Sequence, residues 1–207
     1  MAHGTNTNIA RAQNVARVAV VYHSGYGHTK IQAEAVARGA ESVPGTQVAL
    51  IPVDQAEARA AELEAADAII LGAPTYMGSV SAPFKAFMDW SSKAWFGQQW
   101  KNKIAAGFTN SGSQSGDKLN SLIQLAIFAM QHGMIWIGLD LMPGNNNSKG
   151  SVQDLNRLGS FLGAMAQSNV DVGPDQAPIE SDRKTAEYLG RRVAEFAHRV
   201  VPVAIAA

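Results

Sequence analysis

Short apolar runs that alternate with helical patterns constrain the fold of this chain more than any other feature of its sequence. Residues 18–22 form one run, rich in β-branched side chains. Residues 68–72 form another that is apolar throughout, as in a central strand covered on both faces. Further runs lie at residues 48–53, 104–108 and 134–139. Five strands alternating with helices predict an α/β fold with a five-stranded parallel sheet, doubly wound by right-handed crossovers.

Capping signals place the first helices between these runs. Asp54 with Glu57 three residues on has the form of a capping box, which predicts that a second helix opens there. Pro83 suits the first turn of a helix that begins near Ser81.

Two longer helices are predicted in the second half of the chain. A strongly apolar helix is expected over about 117–132, with Gly133 at its C-cap, and an amphipathic helix over about 181–200. Residues 143–151 are rich in Gly, Asn and Ser and predict a loop. Residues 1–16 are predicted to be a flexible tail, and residues 17–207 a single domain.

Composition excludes several classes of protein. The 17 basic and 17 acidic residues give a net charge of zero without a basic run, so nucleic-acid binding is not expected. The absence of cysteine excludes disulfides, thiolate metal sites and cysteine nucleophiles, so redox chemistry needs a cofactor. Polar residues and glycines interrupt the longest apolar stretch, and the start of the chain lacks a secretory signal. We therefore expect a cytoplasmic protein without a membrane span.

Three loops that follow predicted strands are rich in Gly, Ser, Thr and Asn, and strand ends on one edge of a parallel sheet are where ligands bind. The first, residues 24–29, opens a helix, so its N–H groups and the helix dipole can hold a phosphate without Arg or Lys. Lys30 stands where the dinucleotide fingerprint needs its third glycine, and no NTPase phosphate loop occurs. His23 and His28 have no carboxylate at ligand spacing, so no metal site is predicted.

The loops resemble those of the flavodoxin-like FMN proteins, and among them the NAD(P)H:quinone oxidoreductases once called tryptophan-repressor-binding proteins. The resemblance rests on VYHSGYGHT, GAPTYMGSVSAPFKAFMD, KAW, FTNSGSQSGD and MQHGM, which occur in this order. It implies a flavodoxin-like three-layer sandwich that binds FMN. It also implies that NAD(P)H reduces the flavin and that a quinone-like acceptor reoxidises it in a ping-pong cycle. Members form homodimers or homotetramers that complete the flavin site from a neighbouring subunit.

Position by position, the resemblance implies three cofactor-binding loops. The first wraps the FMN phosphate, the second borders the isoalloxazine, and the third is a further FMN loop. Their residues are Ser24, Tyr26, Gly27, His28 and Thr29; Pro74, Thr75, Tyr76, Met77 and Gly78; and Asn110, Ser111, Gly112, Ser113 and Gln114. His132 matches a histidine near the flavin, to which we assign stabilisation of the negative charge of the reduced form. Tyr26 and Trp95 match positions over the flavin, where nicotinamide and quinone alternate.

Several alternatives stay open at this stage. His132 could instead close the last turn of its helix against the dipole, and Trp90 and Trp100 are expected in the core or at a subunit interface. Many members of the family have Arg-Phe-Gly-Asn where this chain has Tyr-Met-Gly-Ser from Tyr76 on, which bears on its nicotinamide and quinone preference. A flavodoxin-type electron carrier, or a non-catalytic FMN-binding regulatory module, would share the loops.

Overall fold

The predicted parallel sheet is present in the computed structural model, which describes residues 15–200. Its strands are β1 (Ala16–Tyr22), β2 (Thr46–Pro52), β3 (Ala68–Tyr76), β4 (Ser79–Val80), β5 (Ile104–Ser111), β6 (Ile135–Trp136) and β7 (Ala164–Gln167). The helices are α1 (His28–Glu41), α2 (Ala60–Ala65), α3 (Ala82–Trp90), α4 (Ser92–Phe96), α5 (Lys118–Gln131) and α6 (Glu180–Val200). The predicted tail lies outside the described residues up to position 14, and β1 already begins at Ala16.

The strand order is β2-β1-β3-β5-β6, and all four of these pairings are parallel. The order reverses at β1, which lies between β2 and β3, so a crevice is expected beyond the carboxyl end of β1. The short β4 runs antiparallel to the end of β3. The loops after β1, β3 and β5 therefore meet at one edge of the sheet.

The fifth position of the sheet differs from the prediction of one strand over residues 134–139. Only β6 pairs there with the start of β5, and β7 pairs with its end, from Phe108 to Ser111. The chain turns away after β6 because Leu139 N donates to Phe161 O rather than to β5. Gly138 allows this approach, since a Cβ there would lie 2.7 Å from Phe161 O.

Side chains that alternate along the strands fill two cores. Val18, Val20 and Ile70 face α1 and α6, whereas Val21 and Ile69 face the layer of α3 and α5. Helices α1 and α6 cross with their backbones in contact: a Cβ on Gly39 would lie 1.8 Å from Glu187 O, and one on Gly190 1.9 Å from Val36 O. The result is the expected three-layer α/β sandwich.

The predicted capping box is wrong. Asp54 lies inside a 3-10 turn, Val53–Gln55, and α2 begins only at Ala60 without a side-chain cap. Asp54 cannot be an N-cap because it lies inside the turn that Ala56 N closes by donating to Val53 O, while Arg59 just before α2 pairs with Glu62 and donates to Leu50 O. The longer helices agree with the prediction to within a residue, and Gly133 has the left-handed φ of 68° that suits a helix end.

Candidate functional site

A cavity of about 620 Å³ opens at the carboxyl edge of the sheet, where the three predicted loops meet. Its volume lies in the range of small-molecule and cofactor sites. Its walls are formed by Ser24, Tyr26, His28, Thr29, Pro74, Thr75, Tyr76, Asn110, Ser111, Gly112, Ser168, Val170, Val172 and Gly173. Ten of these fourteen residues are among those that the sequence predicts to bind FMN.

The loop after β1 is arranged to hold an anion. Gly27 precedes α1 with φ 89° and carries no side chain that could cap the helix, so the N–H groups of His28 and Thr29 are free for a ligand. Ser24 Oγ accepts a hydrogen bond from Lys30 N at 3.1 Å, which closes the loop on itself. A Cβ on Gly27 would lie 2.8 Å from Pro174, so this turn has no room for a larger residue.

Hydroxyl groups and aromatic rings border the cavity along the end of β3. Thr75 Oγ1 donates to Ser121 Oγ at 2.8 Å and lies 2.8 Å from Thr109 Oγ1, which fixes the buried end of this wall. At the mouth, the rings of Tyr26 and Tyr76 meet edge to face with centroids 6.1 Å apart. Tyr26 is 76% exposed and leaves its ring available to a flat ligand.

The wall beyond β5 is built with a segment that the sequence analysis did not assign. Ser168 Oγ donates to Asn110 Oδ1 at 2.9 Å, Ser168 N donates to Ser111 O, and Gln167 Nε2 donates to Gly112 O at 2.8 Å. His28 Nε2 donates to Val172 O at 2.9 Å. The missed signal was the short apolar β7 followed by polar residues, the same pattern that marked the other loops.

The remaining predicted loop residues lie beside the cavity rather than in its wall. Gly27 shapes the first turn, and Met77 and Gly78 form an exposed turn with φ values of 49° and 76°. The carbonyls of Ser113 and Gln114 point away to accept hydrogen bonds from Lys118 Nζ. Their direct contact with FMN stays a prediction.

Trp95 and His132 line a different cavity, of about 600 Å³, between α3, α4 and α5. His132 is buried, stacks on Trp100 with centroids 4.3 Å apart, and donates from Nε2 to Ser91 Oγ at 3.0 Å. Burial lowers its pKa to about 4, so the imidazole is neutral at pH 7, and its Nδ1 has no hydrogen-bond partner among residues 15–200. A positively charged His132 is therefore not available to a flavin bound within the same chain.

Trp90 and Trp100 belong to the core, as expected. Trp100 is buried and Trp90 packs against the same cluster, both in contact with the ring of Phe87.

The cavity fits FMN on chemical grounds. Its wall combines free N–H groups, hydroxyls and tyrosine rings, the groups that suit a phosphate ester joined to a flat ring system. None of the described residues in its wall is Lys or Arg. No group of three His, Asp or Glu side chains that could hold a metal occurs between residues 15 and 200. In that same range, no helix has the length and apolar character to cross a membrane.

Comparisons with known proteins agree with this chemistry. The profile of the family "NADPH-dependent FMN reductase" matches residues 44–148. Flavodoxin FldP of Pseudomonas aeruginosa is 43% identical over 190 residues, which cover 90% of this chain and 99% of that protein. An NAD(P)H dehydrogenase (quinone) of Archaeoglobus fulgidus is 32% identical over 209 residues, covering 90% and 100%. The crystal structure of a WrbA-like flavodoxin from Agrobacterium tumefaciens superposes with a TM-score of 0.68 at 41% identity, covering 89% and 98%.

Proposed function

Since this chain belongs to the flavodoxin-like, FMN-dependent NAD(P)H oxidoreductases related to the WrbA-like proteins, we propose that it reduces quinones or related two-electron acceptors in a ping-pong cycle. FMN is its cofactor and NAD(P)H its co-substrate. When bound, FMN supplies the two-electron chemistry, taking a hydride equivalent from the nicotinamide and passing it to the acceptor. We expect the protein to work in the cytoplasm.

The residues of the chain contribute binding and orientation. The free N–H groups at the start of α1, with the hydroxyls of Ser24 and Thr29, hold the phosphate. Asn110, Ser111 and Gly112 form the opposite wall, and Tyr26 and Tyr76 border the opening through which a second flat ring enters. No acid or base of the chain is required, because catalysis consists of holding two rings at transfer distance.

The observation that carries the proposal is the single cavity on which all three predicted loops converge. The test is NAD(P)H oxidation by the purified yellow protein with benzoquinone as acceptor. Parallel lines in double-reciprocal plots of the initial rate, with both substrate concentrations varied, would support the ping-pong cycle.

A Ser24→Asp variant should lose FMN because its carboxylate repels the phosphate, whereas Asn147→Asp, with the same charge change in an exposed loop, should keep it. Retention of FMN by Ser24→Asp would contradict the assigned phosphate site.

We further propose that the protein is a homodimer or homotetramer in which a neighbouring copy brings Trp95 and His132 to the flavin. Two observations support this arrangement. Both residues lie outside the flavin cavity of their own chain. Helix α5 also exposes an apolar stripe next to them, made of Leu119, Ile123, Ile127 and Met130.

Mixing two defective variants tests this assembly. Ser24→Asp lacks a working phosphate site, and His132→Ala lacks the imidazole. If each site combines residues of two chains, co-refolded mixtures regain activity that neither variant has alone. A monomer in light scattering, or mixtures without recovered activity, would refute the shared site.

An electron carrier is the second candidate, favoured by the 43% identical relative that is named a flavodoxin. Such carriers usually steer to partners through a strongly charged surface, whereas this chain has a net charge of zero. Negligible turnover of NAD(P)H with benzoquinone by the FMN-loaded protein would favour the carrier.

A further inference from the structure

Lys118 is a buried charge that the proposed mechanism does not use. It is the first residue of α5 and has no exposed surface. Burying an ammonium group costs several kcal/mol unless it is well hydrogen-bonded. A lysine in such a place needs a structural or functional explanation.

The loop between β5 and α5 supplies the partners. Lys118 Nζ donates to Ser111 Oγ, Ser113 O and Gln114 O, each at 2.7 Å, so all three N–H groups of the ammonium are used. None of these partners is a carboxylate. The charged groups that face Lys118 are Asp182 and Arg157, which pair with each other at 2.7 Å.

The loop is wound tightly around this ammonium. Gly116 and Asp117 both have a φ of 53°, and a Cβ on Gly116 would lie 2.2 Å from Ser111 Oγ. Ser111 faces two ways, because it lines the flavin cavity and also accepts the hydrogen bond from Lys118. A single residue thus separates the buried charge from the cavity.

We propose that Lys118 is a positioning residue of the flavin site, which holds residues 111–114 in the shape that binds FMN and places a fixed positive charge behind the cavity wall. This inference rests on FMN binding in that cavity. Without the ammonium, the carbonyls of Ser113 and Gln114 lose their partner in a dry environment, and the loop opens to reach water. The charge also favours a flavin that becomes more negative on reduction, so it raises the reduction potential.

Lys103 provides a matched control. Its Nζ donates to Glu64 O at 2.7 Å and to Ala66 O, and burial lowers its pKa as well. It immediately precedes β5 and therefore lies at the opposite edge of the sheet from the flavin cavity. If Lys118 only donated hydrogen bonds to carbonyl groups, substituting it would have the same effect on FMN binding as substituting Lys103.

The experiment compares Lys118→Met with Lys103→Met in FMN affinity, two-electron reduction potential and melting temperature. We expect both variants to have a lower melting temperature than the wild type. Only Lys118→Met should bind FMN about tenfold or more weakly and show a lower flavin potential. Equal affinity and equal potential in the two variants would overturn the proposal. Failure of the wild type to bind FMN would instead overturn the assignment of the cavity.

Chemical rescue keeps the test decisive if Lys118→Met does not fold. The chain has no cysteine, so Lys118→Cys introduces a single thiol that bromoethylamine converts into a lysine-like ammonium in urea, before refolding with FMN. Wild type taken through the same treatment is the control. Affinity that returns only after alkylation supports the proposal, and affinity equal before and after alkylation refutes it.

A pH profile of the wild type adds a readout that needs no variant. Burial lowers the pKa of Lys118 to about 8. FMN affinity should therefore fall between about pH 7 and 9, as the ammonium loses its proton. A flat wild-type profile would contradict the role of the charge, and Lys103→Met should follow the wild type.

Discussion

The loops after β1 and β5 face each other across one cavity but are held in different ways. The first is closed mainly by its own atoms, through Ser24 Oγ and Lys30 N and through Ile31 N and Gly27 O. The second depends on groups from elsewhere in the fold: a buried lysine on one side and residues 167 and 168 on the other. The N–H groups of the β1 loop can be satisfied by an anionic ligand. The carbonyl groups of the β5 loop instead need a cation within the protein, and Lys118 supplies it.

The largest expected effect comes from the buried ion pair behind the β5 loop. Arg157 pairs with Asp182, and Asp182 Oδ2 also accepts from Gln167 N at 2.9 Å. Asp182→Asn leaves Arg157 without its partner and should cost about 3 kcal/mol or more in urea unfolding at pH 7. Asp89→Asn, which breaks the exposed pair with Lys85, should change little. Similar decreases in the free energy of unfolding in both variants would show that the buried ion pair contributes no more than the exposed one.

Protonation of His132 should give the next largest effect. Its pKa of about 4 in the folded chain lies below the ordinary 6.5, so the unfolded chain takes up the proton first as the pH falls. The stability that His132 contributes is full above about 6.5 and is lost progressively towards 4. Between pH 7 and 5 the wild type should lose roughly 2 kcal/mol more than His132→Gln in urea titrations. Equal losses would show that His132 is not buried in solution.

The β1 loop is tested through its left-handed glycine. Gly27→Ala forces a side chain into φ 89° and against Pro174, at a cost of about 1–2 kcal/mol, and should displace the N–H groups that we propose to hold the phosphate. Gly45→Ala has nearly the same backbone penalty at φ 81°, away from the cavity. Calorimetric titration with FMN should show weaker binding for Gly27→Ala alone. If the two variants bind FMN equally well, this turn does not shape the site.

The smallest expected effect concerns one hydrogen bond in the β5 wall. Ser168→Ala removes the donor to Asn110 Oδ1 and should weaken FMN binding by about 1 kcal/mol, or roughly fivefold in Kd. Ser42→Ala removes a similar bond to Gly39 O outside the site and is the control. An unchanged Kd for Ser168→Ala would mean that other contacts hold this wall.

The β1 loop and the β5 loop also differ in how far their surroundings could be predicted from the sequence. The β1 loop and the end of β3 were found because their strand, loop and helix signals are contiguous, and Thr75 and Tyr76 line the cavity as expected. The division of the fifth strand position between β6 and β7, and the contribution of residues 168–173, were missed because β6 and β7 are short and lie far apart along the chain. No local pattern says that they share β5 as a partner.

Lys118 and His132 show a second limit of sequence reasoning. A lysine at the start of a helix is ordinarily solvated, and only the folded loop reveals that it is enclosed. His132 was placed by resemblance to a site that a single chain does not assemble, since its imidazole faces the cavity between α3 and α5. In the proposed oligomer a second chain would bring it to the flavin, and no spacing within one sequence encodes that arrangement.

The close crossing of α1 and α6 has a consequence for biosynthesis. Helix α1 carries at its start the turn that we propose to bind the phosphate, yet further along its backbone lies directly against α6, with Gly39 at Glu187 and Val36 at Gly190. During translation this face of α1 stays exposed to solvent until α6 has left the ribosome. The turn at the start of α1 therefore gains the support of its partner helix only after α6 has been synthesised.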